Sequence, residues 1–345
     1  MPDQRLSDFD FSLPDELIAQ YPAPSRSDSR LLVLNRDSRV IEATEFAELP
    51  DLLIPGDLLV VNDTRVIPAR LFGIKDSGGK VELLLTRREP GDDEVWHCLV
   101  KASRSPREGS HISFADNFTG VVLPGGDEPQ RRIRFHGSDD FSNLLQRHGE
   151  LPLPPYIRRR AEKQDTERYQ TLFAAREGAL AAPTAGLHFS RAVLDRLRSR
   201  GVETCPVTLH VGIGTFLPVR VENLSEHRMH KELFEVSESS ALTINEAKEQ
   251  GRRVIALGTT SVRVLESVAR TGRVAPGKGE TDLFITPGFN FQIVDALVTN
   301  FHLPKSTLLM LVSAFAGKEF LLQAYEKAVR DRFRFFSYGD CMLIE

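Results

Sequence analysis

Six short strand-like runs between residues 67 and 153 constrain the fold of this chain more than any other feature of its sequence. Turn residues such as Gly78-Gly79 and Pro90-Gly91 separate the runs, and almost no helical pattern lies among them. Strands that are so short and so closely spaced predict a small closed or nearly closed β-barrel. The runs are residues 69–74, 80–85, 95–100, 111–114, 120–123 and 131–135.

Strand and helix patterns alternate on both sides of this segment. Residues 31–34 and 57–62 have the composition of strands. Farther along, residues 254–257 and 296–299 also resemble strands, and each is followed by a short polar loop and a helix pattern, the second capped by Ser306. Alternation of this kind predicts a mainly parallel or mixed sheet with helices on both faces.

The chain is therefore predicted to have an α/β fold in two domains. Its 345 residues exceed the roughly 100 to 200 residues of a typical single domain. A larger discontinuous α/β domain is expected over residues 1–66 and 154–345. An inserted six-stranded β-barrel domain is expected over residues 67–153.

Composition and charge exclude several classes of protein. Hydrophobic residues make up 41% and charged residues 27% of the chain, which is typical of a globular protein. No run approaches the roughly 18 apolar residues of a membrane helix, and the acidic N-terminus lacks the apolar core of a secretory signal. The unpaired Cys98, Cys205 and Cys341 fit a reducing compartment, so a cytoplasmic protein without a membrane partner is expected. Because the net charge is -4, a nucleic acid would have to be held by local basic patches.

One loop at the end of a predicted strand has the composition of an anion site. In open α/β sheets, ligands bind at the carboxyl ends of the strands, where loops lead into helices. Gly258, Thr259, Thr260 and Ser261 follow such a strand directly. Small residues with three hydroxyls at a helix N-terminus favour a carboxylate or a phosphate. A plain helix cap explains the same residues, and the sequence leaves both interpretations open.

Three further loops each contain a histidine. His188 lies with Thr184 in a small-residue turn before a helix, His210 follows a strand-like run, and His302 follows Asn300 at another strand end. A single histidine is more often structural than catalytic. Three histidines in polar loops of this kind favour a role in catalysis, because imidazole titrates near neutral pH.

The loop that contains His210 also contains Gly212, Gly214 and Thr215. Two glycines separated by one residue let a ligand approach the backbone closely. A full GxGxxG pattern is absent because Leu217 occupies its last position, so a nucleotide-binding Rossmann site is not expected.

Metal and nucleoside-triphosphate chemistry are both disfavoured. His227, His230 and Glu232 have a spacing that suits zinc. The zinc-deaminase pattern, however, needs a later Pro-Cys-x-x-Cys, and the only cysteine beyond these residues is Cys341. Residues 304–307 imitate the end of a Walker A loop but lack its glycines. No metal site is predicted.

Basic residues near aromatic ones suggest a nucleic-acid contact. Arg158, Arg159 and Arg160 follow Tyr156, and further arginines lie in the barrel segment. Such residues suit a phosphate backbone, with Tyr156 or Tyr169 stacking on a base. A solvated surface is the simpler interpretation of the same residues.

Taken together, these segments resemble one family along almost the whole chain, the S-adenosylmethionine:tRNA ribosyltransferase-isomerases of queuosine biosynthesis. So many long motifs in the same order are not expected by chance. One departure is Cys341, where alanine is expected. The matching segments are residues 17–22, 62–71, 151–156, 168–171, 182–189, 209–216, 258–263, 299–304 and 335–340.

The resemblance implies both a fold and a reaction. The fold is an α/β domain formed by the two ends of the chain, with an inserted β-barrel. In the reaction, the ribosyl part of S-adenosylmethionine moves to the 7-aminomethyl group of a 7-deazaguanine at the tRNA wobble position, giving epoxyqueuosine and releasing adenine and methionine. S-adenosylmethionine is then a co-substrate, and no metal or tightly bound cofactor is implied. A monomer is expected, and a dimer is left open.

This reaction requires a general base and a proton donor. The sulfonium acidifies the adjacent C5′ protons, one of which a base must remove, and a donor must assist the departure of adenine. The candidate catalytic residues are His188, His210 and His302, with no division of roles among them.

Candidate substrate-binding residues come from the same loops. The methionine carboxylate is assigned to an anion site formed by Gly258, Thr259, Thr260, Ser261 and Arg263. The sulfonium is assigned to Tyr338 and Asp340, and an anticodon base turned out of its stack to Tyr169, Gln170 and Asn300. RNA phosphates are assigned to Arg65 and Arg70. The remaining candidates are the loop residues Thr184, Gly212, Gly214 and Thr215.

Two rival functions fit the same sequence. A non-catalytic RNA-binding protein would bind tRNA without turnover of S-adenosylmethionine. A methyltransferase would use the same donor but would release S-adenosylhomocysteine. The products therefore separate the three hypotheses.

Overall fold

A computed structural model describes residues 4–126, 130–137, 140–216 and 219–345. It divides into two compact units. The first unit comprises Met1–Arg65, Pro155–Arg159 and Glu167–Glu345, and the second comprises Val66–Pro154 and Arg160–Thr166. The ends predicted for the inserted domain, residues 67 and 153, stay predictions.

Nineteen strands and eight α-helices are formed by the described residues. The strands are β1 (Arg30–Asn35), β2 (Val40–Glu45), β3 (Leu58–Asn62), β4 (Thr64–Val66), β5 (Arg70–Lys75), β6 (Lys80–Arg88), β7 (Val95–Ala102), β8 (His111–Ser113), β9 (Thr119–Leu123), β10 (Gln130–His136), β11 (Arg176–Ala179), β12 (Glu203–Leu209), β13 (Glu232–Val236), β14 (Val254–Leu257), β15 (Ala269–Arg270), β16 (Arg273–Val274), β17 (Gly277–Thr281), β18 (Ala296–Asn300) and β19 (Cys341–Ile344). The helices are α1 (Leu49–Leu52), α2 (Phe141–His148), α3 (Lys163–Arg168), α4 (Arg191–Ser199), α5 (Glu238–Glu249), α6 (Gly258–Val268), α7 (Thr307–Ala316) and α8 (Lys318–Arg330). Short 3-10 helices span Leu6–Phe9, Asp15–Leu17, Arg26–Asp28, Phe46–Glu48, Ala115–Asn117, Thr184–His188, Ile213–Phe216 and Leu224–Glu226.

The first unit is built on a nine-stranded mixed sheet in the order β17-β13-β12-β3-β14-β18-β19-β1-β2. Strands β12, β3, β14 and β18 at its centre are parallel to one another. The pairs β12–β13, β13–β17, β18–β19 and β1–β2 are antiparallel, whereas β19 and β1 are parallel. The predicted α/β fold with a mainly parallel or mixed sheet is confirmed in its mixed form.

The central strands are apolar throughout because helices cover both faces of the sheet. All five residues of β3 are buried, and they alternate between two hydrophobic cores. Leu58 and Val60 pack in the core that contains α5, α6, α7 and α8. Leu59 and Val61 pack in the opposite core with Val193 of α4. This alternation follows from the two-residue period of a strand, whose successive side chains point to opposite faces of the sheet.

Serines begin several of these helices, as the sequence predicts for α7. The Ser190 side chain accepts a hydrogen bond from the Val193 amide and caps α4. Ser237 caps α5 and Ser306 caps α7 in the same way. Each cap satisfies one of the amides that a helix N-terminus leaves unpaired, which defines where the preceding loop ends.

The second unit contains a closed barrel of six strands in the order β10-β7-β6-β5-β8-β9. Every neighbouring pair is antiparallel. Closure leaves no unpaired sheet edge, which suits strands of this short length. Gly73 lies where a Cβ would be only 2.6 Å from Cγ2 of Ile112, so the barrel interior is filled at that level. The predicted β-barrel is confirmed.

No single helix among the described residues is both long enough and apolar enough to cross a membrane; α7 and α8 meet that requirement only as a pair, across a bend of 113°.

Candidate active site

The parallel strands at the centre of the sheet all end at the same edge. Strands β12, β3, β14 and β18 end at Leu209, Asn62, Leu257 and Asn300. The Asn62 side chain binds both the carbonyl and the amide of Leu209, each at 3.0 Å, and so joins the ends of β3 and β12. The loops that carry the predicted site residues therefore begin along one edge, where ligands bind in open α/β sheets.

His210 is the most accessible of the three candidate histidines. Its Nδ1 atom lies 2.8 Å from the Thr64 hydroxyl, and that hydroxyl donates to the Arg176 carbonyl at 3.4 Å. Because the Thr64 proton is directed to that carbonyl, Thr64 accepts the N–H of Nδ1, which leaves Nε2 as the basic nitrogen. Nε2 has no hydrogen-bond partner among the residues that the structure describes.

The surroundings of His210 keep its ring neutral. Burial lowers its pKa below 6.5; the carboxylate of Asp63 acts in the opposite direction, and Arg176 lowers the pKa further. Gly178 packs against the ring, since a Cβ at that position would lie 2.9 Å from Nδ1. A neutral imidazole with an unbound nitrogen has the properties of a general base.

His188 is the last residue of the short helix Thr184–His188 and is buried. Thr184, the first residue of this helix, is half-buried. The Nε2 atom of His188 lies 3.0 Å from Nδ2 of Asn300, and this amide nitrogen also donates to the Phe336 carbonyl. Since Nδ2 is a donor, Nε2 of His188 accepts, and its Nδ1–H donates to the Ser29 hydroxyl at 2.7 Å. Burial lowers the pKa of His188 to about 3. The ring is therefore neutral at pH 7, with both nitrogens engaged.

His302 lies in the core of the first unit. Its Nε2 is 2.9 Å from the Thr299 hydroxyl, and its amide donates to the Tyr325 hydroxyl at 2.9 Å. Burial lowers its pKa to about 3 as well. These contacts describe a structural histidine beneath the strand end, and its predicted catalytic role stays a prediction.

A cleft opens beside His188. Among the residues that line it are Ser29, Arg26, Arg168 and Tyr338. These residues come from the N-terminal segment, the last residue of α3 and the C-terminal loop, all within the first unit. The structure thus brings the predicted residues His188 and Tyr338 together with two arginines that the sequence alone did not indicate.

The loop after β14 forms the N-terminus of α6, as predicted. Gly258 has a φ of +83°, a conformation in which other residues are strained. The Ser261 hydroxyl donates to the Leu257 carbonyl at 2.8 Å, and Thr259 is buried. The Thr260 Oγ1 atom is buried without a hydrogen-bond partner. The first amides of α6 and this hydroxyl are the groups available to an anion.

Arg263 is paired with a carboxylate, and its place in the predicted anion site stays a prediction. Its guanidinium forms a buried ion pair with Glu232 and donates to the Leu283 carbonyl at 3.2 Å. The other carboxylate oxygen of Glu232 accepts the amide N–H of Gly212 at 2.9 Å. Glu232 is therefore committed to Arg263 and the loop, and not to a metal with His227 and His230.

Several other candidates are also committed to contacts within the protein. Asp340 is buried and binds the Arg30 side chain and the amides of Arg30 and Arg334. Tyr169 is fully buried and contacts the ring of Tyr338 edge to face, with centroids 5.8 Å apart. Neither residue presents its polar or aromatic surface to a ligand in this arrangement.

The remaining candidates are spread over both units. Gln170 is half-buried in the first unit, where Arg65 is exposed. Arg70 belongs to the barrel and faces Glu82, with Nε 3.5 Å from the carboxylate. Gly214 packs against His230. Thr215 lies in the short helix Ile213–Phe216, but its side chain is outside the described part of the structure.

Among the described residues, no group of three or more His, Cys, Asp or Glu side chains is arranged to hold a metal ion.

The model of the family described as queuosine biosynthesis protein matches residues 6–344 of the chain. The chain belongs to the queuosine biosynthesis protein family.

Relatives within this family are similar over their whole length. The S-adenosylmethionine:tRNA ribosyltransferase-isomerase of Syntrophotalea carbinolica is 59% identical over 341 residues, which cover 99% of each chain. The enzyme of the same name from Geobacter sulfurreducens is 54% identical over 340 residues, covering 98% of this chain and 99% of its own. By this relationship the chain is an enzyme of the transferase-isomerase class.

A solved structure supports the same relationship. The crystal structure of S-adenosylmethionine tRNA ribosyltransferase from Thermotoga maritima is 40% identical, with a TM-score of 0.58. It covers 98% of this chain and 100% of its own. The resemblance inferred from the sequence motifs is confirmed.

For this family member, sequence reasoning missed the partners of the predicted site residues. Thr64, Ser29 and Glu232 hold His210, His188 and the Gly212 loop, respectively. Thr64 and Ser29 lie more than a hundred residues from their histidines, so no local spacing links them. The sequence indicated Glu232 only as part of the zinc-like spacing with His227 and His230.

Proposed function

We propose that this enzyme transfers and isomerises the ribosyl moiety of S-adenosylmethionine onto 7-aminomethyl-7-deazaguanine at the wobble position of tRNA. The products are epoxyqueuosine-tRNA, adenine and methionine. The observation that carries this proposal is the match to relatives of that enzyme name at 59% identity across 99% of the chain. The site adds two functional elements that the reaction needs, a neutral base and an anion site.

His210 is the general base of this proposal. Its Nε2 atom is the ring nitrogen without a partner among the described residues, and burial keeps the ring unprotonated at neutral pH. A neutral imidazole can take a C5′ proton that the neighbouring sulfonium has made acidic. Thr64 holds the opposite nitrogen, so the tautomer needed for proton removal is set before substrate binds.

The N-terminus of α6 is the proposed site for the methionine carboxylate. Its free amides and the Thr260 hydroxyl suit a carboxylate, and the helix dipole adds to the attraction. Strand β3 separates β12, which leads to His210, from β14, which leads to α6. Two strand spacings amount to roughly 10 Å, a span that one S-adenosylmethionine molecule covers.

Neither His188 nor His302 is a proton donor in its charged form. A pKa of about 3 leaves each ring uncharged at neutral pH. In this proposal adenine therefore departs with help from a donor other than a charged His188 or His302.

The product list tests the proposal. The protein is incubated with S-adenosylmethionine and tRNA that carries the aminomethyl-deazaguanine, and the small molecules are separated by chromatography. Adenine and methionine that depend on this tRNA support ribosyl transfer. S-adenosylhomocysteine would establish a methyltransferase instead, and tRNA binding without turnover would establish a binding protein.

Histidine variants test the division of roles. His210→Gln should lower kcat by at least about 100-fold, the usual contribution of a general base. Single His188→Ala and His302→Ala variants are compared after a thermal unfolding test shows that they fold. Full activity in all three variants would rule out acid-base catalysis by these histidines.

A further inference from the structure

The cleft beside His188 contains two positive charges that no ion pair neutralises. Arg26 and Arg168 both line it, and neither forms an ion pair with a carboxylate of the described residues. Both guanidinium groups are half-buried; after burial, repulsion by Arg168 is the second cause of the lowered pKa of Arg26, and the Glu167 carboxylate and Tyr338 act in the opposite direction. Two like charges held together in this way are stabilised by an anion.

Within the described part of the chain, the hydrogen-bond partners of these two guanidinium groups are backbone carbonyls. Arg26 donates to the carbonyls of Glu167 at 2.8 Å and of Leu187 at 3.3 Å. Arg168 donates to the carbonyls of Ala23 at 2.7 Å and Pro24 at 3.1 Å. These contacts fix the direction of both planar groups, while the Nε atom of Arg168 is buried without a partner. Each terminal guanidinium nitrogen carries two hydrogens and donates one of them to a carbonyl, so N–H groups remain for a ligand.

We infer that Arg26 and Arg168 form a binding site for one backbone phosphate of the tRNA substrate. The inference rests on the proposed function, because that function makes tRNA a substrate. Arginine suits a phosphate well, since its planar fork can donate two parallel hydrogen bonds to the phosphate oxygens. Contacts of this kind position an RNA without reading its sequence.

The position of the cleft favours a phosphate over the methionine carboxylate. Asn300, at the end of β18, contacts His188 in the cleft wall, whereas the proposed base His210 follows β12. Three strand spacings separate β12 from β18 in the sheet, or roughly 14 Å. In S-adenosylmethionine the carboxylate and the C5′ carbon are separated by only a few bonds. The N-terminus of α6, only two strand spacings from β12, therefore suits the carboxylate of that donor better, which leaves Arg26 and Arg168 for another anion.

The test measures how each arginine contributes to tRNA binding as salt is varied. The probe is an unmodified tRNA transcript, because a phosphate contact is independent of the wobble base. Arg168→Gln and Arg26→Gln should each weaken binding by about 10-fold or more at low salt. The slope of log Kd against log salt should fall by about 0.7 to 0.9 for each lost phosphate contact. The KM for S-adenosylmethionine should stay within about twofold of the wild-type value.

Conservative and distant variants provide the controls. Arg168→Lys and Arg26→Lys keep the charge and should retain most of the affinity and the wild-type salt slope. Arg198→Gln removes an exposed charge on α4, whose side chain is 83% exposed, and should leave tRNA binding unchanged. Thermal unfolding of every variant shows whether the carbonyl contacts are needed for folding.

Three results would overturn the inference. Equal losses in the Lys and Gln variants, with lowered thermal stability, would show that the arginines only hold the chain segments together. If Arg198→Gln weakens tRNA binding as much as Arg26→Gln and Arg168→Gln do, the effect is a general one of net charge. A third result concerns S-adenosylmethionine and its decarboxylated form: if Arg168→Gln abolishes discrimination between them and leaves the tRNA Kd unchanged, the cleft binds the methionine carboxylate.

Failure here is distinguishable from failure of the proposed function. If the arginine variants bind tRNA normally and still release adenine, the phosphate site is wrong and the ribosyl transfer stands. If the wild-type protein binds tRNA with the expected salt slopes but releases no adenine, the proposed reaction is wrong instead.

Discussion

Arg263 on α6 and Glu232 on β13 form a buried ion pair, and each side chain is only 7% exposed. The same carboxylate accepts the amide N–H of Gly212 at 2.9 Å. The pair thus joins the helix that begins at Gly258 to the loop that follows His210. Removing either charge would leave the other buried and unpaired, which is far more costly than losing an exposed pair.

Glu232→Ala should therefore lower the free energy of unfolding by about 3 to 5 kcal/mol. Denaturant unfolding measures this change. The matched control is Glu280→Ala on the neighbouring strand, whose partner Lys231 is 65% exposed. That variant should lose about 1 kcal/mol or less in the free energy of unfolding. Equal losses in the two variants would show that the buried pair stabilises the protein no more than the exposed pair does.

Replacing His188 should change how stability depends on pH. Burial lowers the pKa of His188 to about 3, whereas an unfolded histidine titrates near 6.5. Between these values the unfolded chain binds more protons, so this residue makes the protein less stable as the pH falls from about 6.5 towards 3. Its contribution is up to about 1.4 kcal/mol per pH unit. The His188→Gln protein should lack that contribution, and unfolding curves with parallel pH dependence in both proteins would contradict it.

Substitution of Gly258 should damage the anion site beyond its effect on stability. Gly258 and Gly272 have φ values of +83° and +78°, so alanine is strained to a similar degree at both positions, by about 1 to 2 kcal/mol. Gly258 is the first residue of α6, at the proposed anion site. Gly272 lies outside that site, and no atom lies within 4 Å of a Cβ there. Gly258→Ala should raise the KM for S-adenosylmethionine by about 10-fold. Gly272→Ala should be destabilised with an unchanged KM; a similar KM in both variants would argue against the α6 site.

A second pair of glycines tests the position of His210. Gly178 and Gly277 have φ values of +145° and +147°, but only Gly178 would place a Cβ 2.9 Å from the imidazole. Gly178→Ala should displace the ring from Thr64 and lower kcat by about 10-fold or more. Gly277→Ala, where nothing lies within 4 Å, should keep its kcat. Equal kcat values in folded samples of the two variants would mean that the ring position does not matter for catalysis.

Much of the fold was predictable because local patterns specify it. The apolar residues 254–257 and 296–299 became central strands, and Ser306 became a helix cap. Turn residues marked the barrel strands for the same reason. The C-terminal strand β19, which is antiparallel to β18 and parallel to β1, was not predicted, because a short apolar run gives no information about its partners.

The sequence by itself determined the family, the alternation of strands and helices, and which loops carry histidines and hydroxyls, since these are properties of neighbouring residues. Only the tertiary structure decided which of those groups are available for chemistry. It buried His302 and Asp340, neutralised Arg263 with Glu232, and left Nε2 of His210 without a partner among the described residues. The physical reason is that burial and pairing depend on residues far apart in the chain. The distance from Thr64 to His210, 146 residues along the sequence, is one example.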